Sequence, residues 1–209
     1  MIVAVGGLIG AGKSTLVNKL ATNNGYTVYE EPVDCNPFLK LYYDDPCRWS
    51  YTLQIYYLWE RYKQVQEAYF KSLKNEVVVL DSTIYSDMAF ALLQKNAGYF
   101  TEDEFKSYKD MHEIVAKQTA YPDVLLWLEL KPDETLKRIK KRSRECESNI
   151  PIEYLSNLYN AYTDVLDKLK CRTDVISLDA RKPAQDVYKD AYKIIEEKLN
   201  SSMNEIKYC

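Results

Sequence analysis

The segment GLIGAGKS at residues 7–14 has the residue types and spacing of a phosphate-binding loop. It fits the pattern GxxxxGK[ST] at every constrained position. In such a loop glycines let backbone amides point at phosphate oxygens, the lysine reaches the β- and γ-phosphates, and the serine hydroxyl serves Mg²⁺. A glycine turn that holds no ligand is the less favoured interpretation. The residues predicted to bind a nucleoside triphosphate are Gly7, Gly10, Ala11, Gly12, Lys13, Ser14 and Thr15.

The loop lies within an alternation of short β-branched runs and longer helical stretches. Strands are predicted at 2–5, 27–29, 77–80, 124–128 and 175–178. Helices are predicted at 13–23, 36–44, 47–73, 83–95, 101–119, 132–142, 151–169 and 183–199. This alternation predicts an α/β fold, a P-loop NTPase-like three-layer α/β/α arrangement with a five-stranded parallel sheet. Residues 1–209 show no linker and are predicted to form a single domain, whose tail at 200–209 is frayed.

Charged residues follow the predicted strands at the edge where α/β proteins bind ligands. Glu31 follows the second strand and is predicted to accept a proton from an acceptor hydroxyl, although a charged strand end is the simpler interpretation of an isolated EEP segment. Asp81 follows the third strand. Arg138 and Arg142 are four residues apart on one helical face and predict a lid over a triphosphate at about 138–150, whereas a solvated basic face is the usual alternative.

Composition excludes several classes of protein. The chain has 46% apolar residues and a net charge of −3, which disfavours nucleic-acid binding through general phosphate attraction. No apolar run is long enough to span a membrane, and the first predicted strand leaves no room for a signal peptide, so we expect a cytoplasmic protein. Five scattered cysteines predict reduced thiols. His112, the single histidine, is expected to be a solvated or satisfied helix residue, which disfavours metalloenzyme and Ser-His-Asp chemistry.

A triphosphate-binding loop is compatible with a GTPase, an ATPase motor or a kinase. The chain lacks the guanine-binding sequence NKxD after a later strand, and its 209 residues leave little room for an energy-coupling machine. The remaining class is a small-molecule kinase. Such an enzyme needs a carboxylate near the acceptor and arginines near the transferred phosphate.

Several motifs in one order resemble the deoxynucleoside kinases of the deoxycytidine, deoxyadenosine and deoxyguanosine kinase type. The resemblance covers about residues 1–165 and rests on GGLIGAGKST, EEPV, NPFL, YDDPCRWSYTLQ, LDSTIYSD, RIKKRSRECE and IPIEYL. It implies ATP-dependent phosphorylation of the 5′-hydroxyl of a 2′-deoxynucleoside, with Mg²⁺, in a homodimer packed through helices. The predicted partners are therefore a deoxynucleoside and a second copy of the chain, and neither nucleic acid nor membrane.

The resemblance also implies roles for individual residues. Glu31 matches the general base, Lys13 and Arg142 match groups that act on the transferred phosphate, and the metal ligands match Ser14 and Asp81. The residues that match positions around the nucleoside are Glu31, Tyr43, Gln54, Arg61, Asp87 and Glu147. The arginines that match the lid are Arg138, Arg142 and Arg144. Arg61 and Asp87 together imply a preference for deoxycytidine or purine deoxynucleosides over thymidine.

One position departs from the family pattern. The third-strand motif of the family is Asp/Glu-Arg-Ser, whereas this chain has Asp81-Ser82-Thr83. A hydroxyl cannot supply the fixed charge and forked donors of a guanidinium. Two alternatives therefore stay open: a nucleoside-binding protein with little phosphotransfer activity, and a nucleoside monophosphate kinase. Glu31 disfavours the second alternative, since a carboxylate near the acceptor repels a 5′-phosphate.

Overall fold

In the computed structural model, five parallel strands form one sheet in the order β2-β3-β1-β4-β5. The structure describes residues 1–31, 36–142 and 150–206. The strands are β1 (Ile2–Gly7), β2 (Thr27–Tyr29), β3 (Val78–Asp81), β4 (Val124–Glu129) and β5 (Asp174–Asp179). The predicted five-stranded parallel sheet is confirmed.

The helices alternate with the strands as predicted. They are α1 (Lys13–Asn24), α2 (Leu39–Asp44), α3 (Pro46–Ser72), α4 (Ile84–Asn96), α5 (Glu102–Gln118), α6 (Pro132–Arg142), α7 (Ile152–Leu169) and α8 (Ala184–Ile206). Helix α2 begins later than predicted because Pro37 disfavours helical backbone at Asn36, whose side chain instead accepts a hydrogen bond from the Phe38 amide at 2.9 Å.

The prediction of a frayed tail is wrong for residues 200–206, since α8 continues to Ile206, and residues 207–209 lie outside the described residues. The tail lacks the two residue types that interrupt helices most strongly, because neither glycine nor proline occurs after Pro183. Among the described residues no helix is both long and apolar enough to cross a membrane.

Alternate residues of the strands pack against two helical layers. Val3 and Val5 of β1 belong to a core that includes residues of α1 and α8. Ile2 and Ala4 point to the other face and pack in clusters with residues of α3, α4, α5 and α7. The β1 side chains from Ile2 to Val5 are all buried, as expected for a central parallel strand covered on both faces.

Two smaller expectations concern histidine and cysteine. His112 is buried on α5, and its Nε2 lies 2.9 Å from the carbonyl oxygen of Ile84, so it is a satisfied helix residue. Cys47 and Cys171 are exposed free thiols, in keeping with the predicted reduced state. Cys35, Cys146 and Cys209 lie outside the described residues.

The register of the sheet brings the phosphate loop beside the end of β3. Val5 of β1 pairs with Asp81, and Gly7 pairs with Leu128 of β4. The loop then turns into α1 through Gly10 and Gly12, whose φ angles are +81° and +107°. Such values favour glycine, and a Cβ at Gly10 would lie only 2.9 Å from Cγ1 of Ile139 on α6. The loop is thus fitted closely beneath the helix of the predicted lid.

We expect Gly10→Ala to destabilise the protein more than Gly25→Ala. Both glycines have positive φ, at +81° and +68°, so alanine strains the backbone at either position by about 1 kcal/mol. Only at Gly10 does the new Cβ also meet Ile139, whereas nothing lies within 4 Å at Gly25. Denaturant unfolding of the two variants measures the difference. Equal losses of stability would show that α6 yields to the added methyl group at no cost.

Candidate active site

A cavity of about 300 Å³ lies at the carboxyl ends of β1, β2 and β3. Its wall is formed by the phosphate loop, the segment after β2, and residues of α2, α3, α4, α6 and α7. It contains most of the residues that the sequence predicted around the acceptor and the transferred phosphate. These are Gly10, Lys13, Ser14, Glu31, Tyr43, Gln54, Asp81, Asp87 and Arg142.

The phosphate loop forms specific contacts at one end of this cavity. Lys13 Nζ donates to the carbonyl oxygens of Gly7 and Leu8 at 3.1 and 3.2 Å. Ser14 Oγ donates to Oδ2 of Asp81 at 2.9 Å, which joins the first turn of α1 to the end of β3. The predicted pair of metal ligands, Ser14 and Asp81, is therefore adjacent in the fold.

Arg61 of α3, predicted around the nucleoside, is not among the residues that line the cavity; it forms the centre of a polar network behind the wall. Its Nε donates to Oδ1 of Asp87 at 2.8 Å, its Nη1 to the carbonyl oxygen of Asp81 at 2.9 Å, and its Nη2 to Oε1 of Glu31 at 2.7 Å. The side chains of Arg61 and Asp87 are 3% and 4% exposed, whereas that of Glu31 is 30% exposed. The buried guanidinium therefore holds one carboxylate oxygen of Glu31, while the side chain of Glu31 stays accessible from the cavity.

Burial raises the pKa of both aspartates in the cavity wall. It raises the pKa of Asp87 to about 6, against the opposing effect of the Arg61 charge. It also raises the pKa of Asp81, while Lys13 lowers it and the nearby Glu31 raises it further. Oδ2 of Asp87 and Oδ1 of Asp81 are buried and have no hydrogen-bond partner among the described residues. Both oxygens are therefore suited to a ligand atom.

Arg138 and Arg142 share α6 but line different cavities. Arg142 belongs to the cavity described above. Arg138 donates through Nη1 to the Ala11 carbonyl oxygen at 3.1 Å and through Nη2 to that of Ala180. It lines a second cavity of about 170 Å³, to which Ala11, Gly12 and Thr15 also contribute. The helix thus lies across the loop, with one arginine on each side.

Part of the predicted lid falls outside the described residues. Residues 143–149, which include Arg144 and Glu147, are not described, and neither is Pro32 beside Glu31. The roles predicted for Arg144 and Glu147 stay predictions. Tyr43, predicted to pair with Glu147, lines the cavity with a 43% exposed side chain.

The sequence analysis did not name several residues that line the cavity. Tyr57 lies on the same face of α3 as Gln54 and Arg61, and Phe90 and Gln94 lie on the same face of α4 as Asp87. Helical spacing from the named residues could have found all of these. Tyr42 of α2, which precedes the predicted Tyr43, and Tyr154 of α7, which lies in the motif IPIEYL, reach the cavity from separate elements.

A glycine-rich loop between the central strand of a parallel sheet and the helix that follows defines the P-loop class of nucleotide-binding proteins. Comparison with known proteins narrows this class. The family model of the deoxynucleoside kinases matches residues 3–204, and the chain belongs to that family.

Named relatives agree with this assignment. The chain is 37% identical to the deoxyguanosine kinase of Dictyostelium discoideum over 85% of its own length and 63% of that protein. It is 36% identical to the deoxyadenosine/deoxycytidine kinase of Bacillus subtilis (strain 168), over 77% of this chain and 74% of that protein. Deoxyadenosine kinase from M. mycoides, solved with the products dCMP and dCDP bound, is 29% identical with a TM-score of 0.81. That comparison covers 96% of this chain and 100% of the other. The predicted family, fold and kinase class are confirmed.

We expect the buried carboxyl of Asp87 to make stability depend on pH. Its pKa is about 6 in the folded protein against an ordinary value of 3.8, so the folded protein holds this proton more tightly than the unfolded chain. The stabilising contribution is fully present below about pH 4 and is lost as the pH rises through about 6.

Denaturant unfolding at several pH values between about 4 and 7 tests this expectation. The stability of the wild type relative to Asp87→Asn should fall across that range. Asp110→Asn, which changes an exposed aspartate of α5, should follow the wild type throughout. A constant difference between the wild type and Asp87→Asn would contradict the expectation.

Proposed function

We propose that the protein transfers the terminal phosphate of ATP to the 5′-hydroxyl of a 2′-deoxynucleoside. The observation that carries the proposal is that Glu31 and Lys13 line one cavity, with Glu31 held by Arg61 and still 30% exposed. A carboxylate in this position can accept the hydroxyl proton while the loop holds the phosphate to be transferred. Glu31 is thus proposed as the catalytic base, and Lys13 and Arg142 as the groups that act on the transferred phosphate.

The donor is proposed to bind through the phosphate loop. Backbone amides of the loop and the amino end of α1 suit the phosphates, and the second cavity beside Arg138 leaves room for the rest of the donor on the other side of the loop. The M. mycoides deoxyadenosine kinase has been solved with dATP and with dCTP bound, which supports a triphosphate site in a fold of this family.

Magnesium is proposed to bind at Ser14 and Asp81. The two side chains are 2.9 Å apart and offer only oxygen ligands, and Oδ1 of Asp81 is buried with no partner among the described residues. Oxygen donors of this kind fit Mg²⁺. When bound there, the ion supplies positive charge to the phosphates.

The acceptor is proposed to be deoxycytidine or a purine deoxynucleoside. Oδ2 of Asp87 is an acceptor without a partner among the described residues, and the side-chain amide of Gln54 can both donate and accept. Cytosine, adenine and guanine carry an exocyclic amino group that can donate to a carboxylate, whereas thymine carries none. Tyr43, at the rim of the cavity, is proposed to contact the sugar.

The two alternatives, a nucleoside monophosphate kinase and a nucleoside-binding protein, differ from the proposed function in what they require of the cavity. A nucleoside monophosphate kinase must hold a 5′-phosphate dianion where Glu31 lies, and two negative groups in one cavity repel each other. A nucleoside-binding protein with little activity is favoured by Ser82, where the family has an arginine. Only the proposed kinase needs the carboxylate of Glu31 to reach the cavity. The test therefore measures turnover in the wild type and in a variant of Glu31.

We expect product formation with deoxyadenosine, deoxycytidine or deoxyguanosine, and slower turnover of thymidine and of thymidylate. Glu31→Gln should lower turnover by about a hundred- to ten-thousandfold, because the amide cannot accept the proton, while nucleoside affinity changes little. The assay follows ADP release with ATP and Mg²⁺, and calorimetry measures nucleoside binding.

Glu60→Gln is the matched control for the Glu31 variant. Glu60 precedes Arg61 on α3 but pairs with Lys63 at 2.7 Å and is absent from the cavity wall, so this variant should keep turnover. Binding without ADP release in the wild type would favour the nucleoside-binding alternative. Faster turnover of thymidylate than of any nucleoside would favour the monophosphate kinase.

We also propose that the protein is a homodimer. A groove of about 370 Å³ between α3 and α5 is lined mostly by apolar side chains, of which Trp59 and Ile114 are each 56% exposed. Exposed apolar surface of this kind is typical of protein interfaces. A symmetric contact through these two helices would cover both residues.

Ile114→Glu is expected to convert the dimer into a monomer, since it places a charge in the proposed interface. Lys109→Glu is the matched control, because Lys109 lies on α5, is exposed and does not line the groove. Sedimentation of the 24.4 kDa chain measures both states. A monomeric wild type, or a dimeric Ile114→Glu variant, would contradict the proposed interface.

A further inference from the structure

The acceptor cavity has more carboxylates than cations in its wall. Among the described residues, four carboxylates and two cations line it: Glu30, Glu31, Asp81, Asp87, Lys13 and Arg142. The buried guanidinium of Arg61 adds a third positive charge behind the wall. With every group ionised, these side chains leave one negative charge in excess, and an excess of that sign disfavours an anion that enters the cavity.

Three of the four carboxylates have a cation close by. Nη2 of Arg61 lies 2.7 Å from Oε1 of Glu31, and its Nε lies 2.8 Å from Oδ1 of Asp87. Burial raises the pKa of Asp81, and the charge of Lys13 lowers it. The electrostatic field of each of these carboxylates in the cavity is therefore partly cancelled by a neighbouring positive charge.

Glu30 is the fourth carboxylate, and its side chain forms neither a hydrogen bond nor an ion pair within the part of the chain that the structure describes. The residue is exposed, and its backbone is held in place because Nε2 of Gln64 donates to its carbonyl oxygen at 2.9 Å. It lines the cavity together with Lys13 and Ser14 of the phosphate loop. An unpaired negative charge therefore adjoins Glu31, the proposed base, where the acceptor hydroxyl must bind.

The transfer reaction changes the charge of the acceptor. A deoxynucleoside is uncharged, whereas a phosphate monoester carries a charge of about −1.5 to −2 at pH 7. The new phosphate forms on the hydroxyl that faces Glu31, next to Glu30 in the wall. An unpaired carboxylate at this place has no net charge to act on in the nucleoside, but it repels the monophosphate.

We propose that Glu30 makes the cavity selective for an uncharged acceptor by repelling nucleoside 5′-monophosphates. The repulsion keeps a monophosphate from competing with the nucleoside for the cavity, and it speeds dissociation of the monophosphate formed by transfer. The inference rests on the proposed function, which supplies the acceptor and the product. Glu30 is thus a specificity-determining residue that takes no part in the proton transfer.

Calorimetry with deoxyadenosine and deoxycytidine, and with the 5′-monophosphate of each, tests the inference. We expect Glu30→Gln to lower the Kd of the monophosphates about threefold to tenfold at low salt, the effect of removing one charge from the neighbourhood of a dianion. The Kd of the nucleosides should change by less than about twofold, because they carry no net charge. Glu30→Asp retains the charge and should retain the weak binding of the monophosphates.

Salt and a matched control separate repulsion from a change in the shape of the cavity. In about 1 M salt the Debye length is about 3 Å, so most of the difference between the wild type and Glu30→Gln should disappear. Glu60→Gln removes the same charge from α3 outside the cavity wall and should bind monophosphates as the wild type does.

Three outcomes would overturn the inference. They are a monophosphate Kd in Glu30→Gln within about twofold of the wild-type value, an equal gain in affinity for nucleoside and monophosphate, and a difference that persists unchanged in about 1 M salt. A wild-type protein that binds or turns over no deoxynucleoside would instead overturn the proposed function. Because the Glu30 comparison measures binding and needs no turnover, the two failures are distinguishable.

Discussion

The buried charge of Arg61 is the constraint on which the cavity depends. A guanidinium removed from water is strongly unfavourable unless its donors are paired, and every pair here comes from a different part of the chain. Glu31 follows β2, Asp81 ends β3 and Asp87 lies in the first turn of α4. Helix α3 can bury Arg61 only if these elements meet around it. The same contacts that satisfy the charge also define the wall of the cavity.

Sheet topology explains why the meeting point lies beside the phosphate loop. Strand β1 lies between β3 and β4, and all five strands are parallel, so their carboxyl ends share one edge. The loop leaves this edge at Gly7, and Asp81 ends the neighbouring strand. Their adjacency allows Ser14 to donate to Asp81. The proposed donor and acceptor sites consequently lie on elements that the hydrophobic core already holds in place.

Relatives of the chain are named for different nucleobases, although their sequence identities to the chain are similar. The chain is 37% identical to a deoxyguanosine kinase and 34% identical to a deoxyadenosine kinase, both from Dictyostelium discoideum. Overall identity therefore does not distinguish the base. Discrimination between bases depends on a few hydrogen-bonding groups in the cavity, and a change in one of them alters specificity with little effect on identity. Gln54 and Tyr57 of α3 and Asp87 and Gln94 of α4 are polar side chains that line the cavity.

The sequence by itself determined the order of strands and helices, the phosphate loop and the family, because these depend on local periodicity and on fixed spacing. It also placed Glu31 and Asp81 at the carboxyl ends of strands. Only the tertiary structure decided that Arg61 contacts Glu31 and that Arg138 and Arg142 line separate cavities. It also decided that Tyr42 and Tyr154 complete the wall. These contacts join residues far apart in the chain, and the packing of helices on the sheet, which no local pattern encodes, determines their geometry.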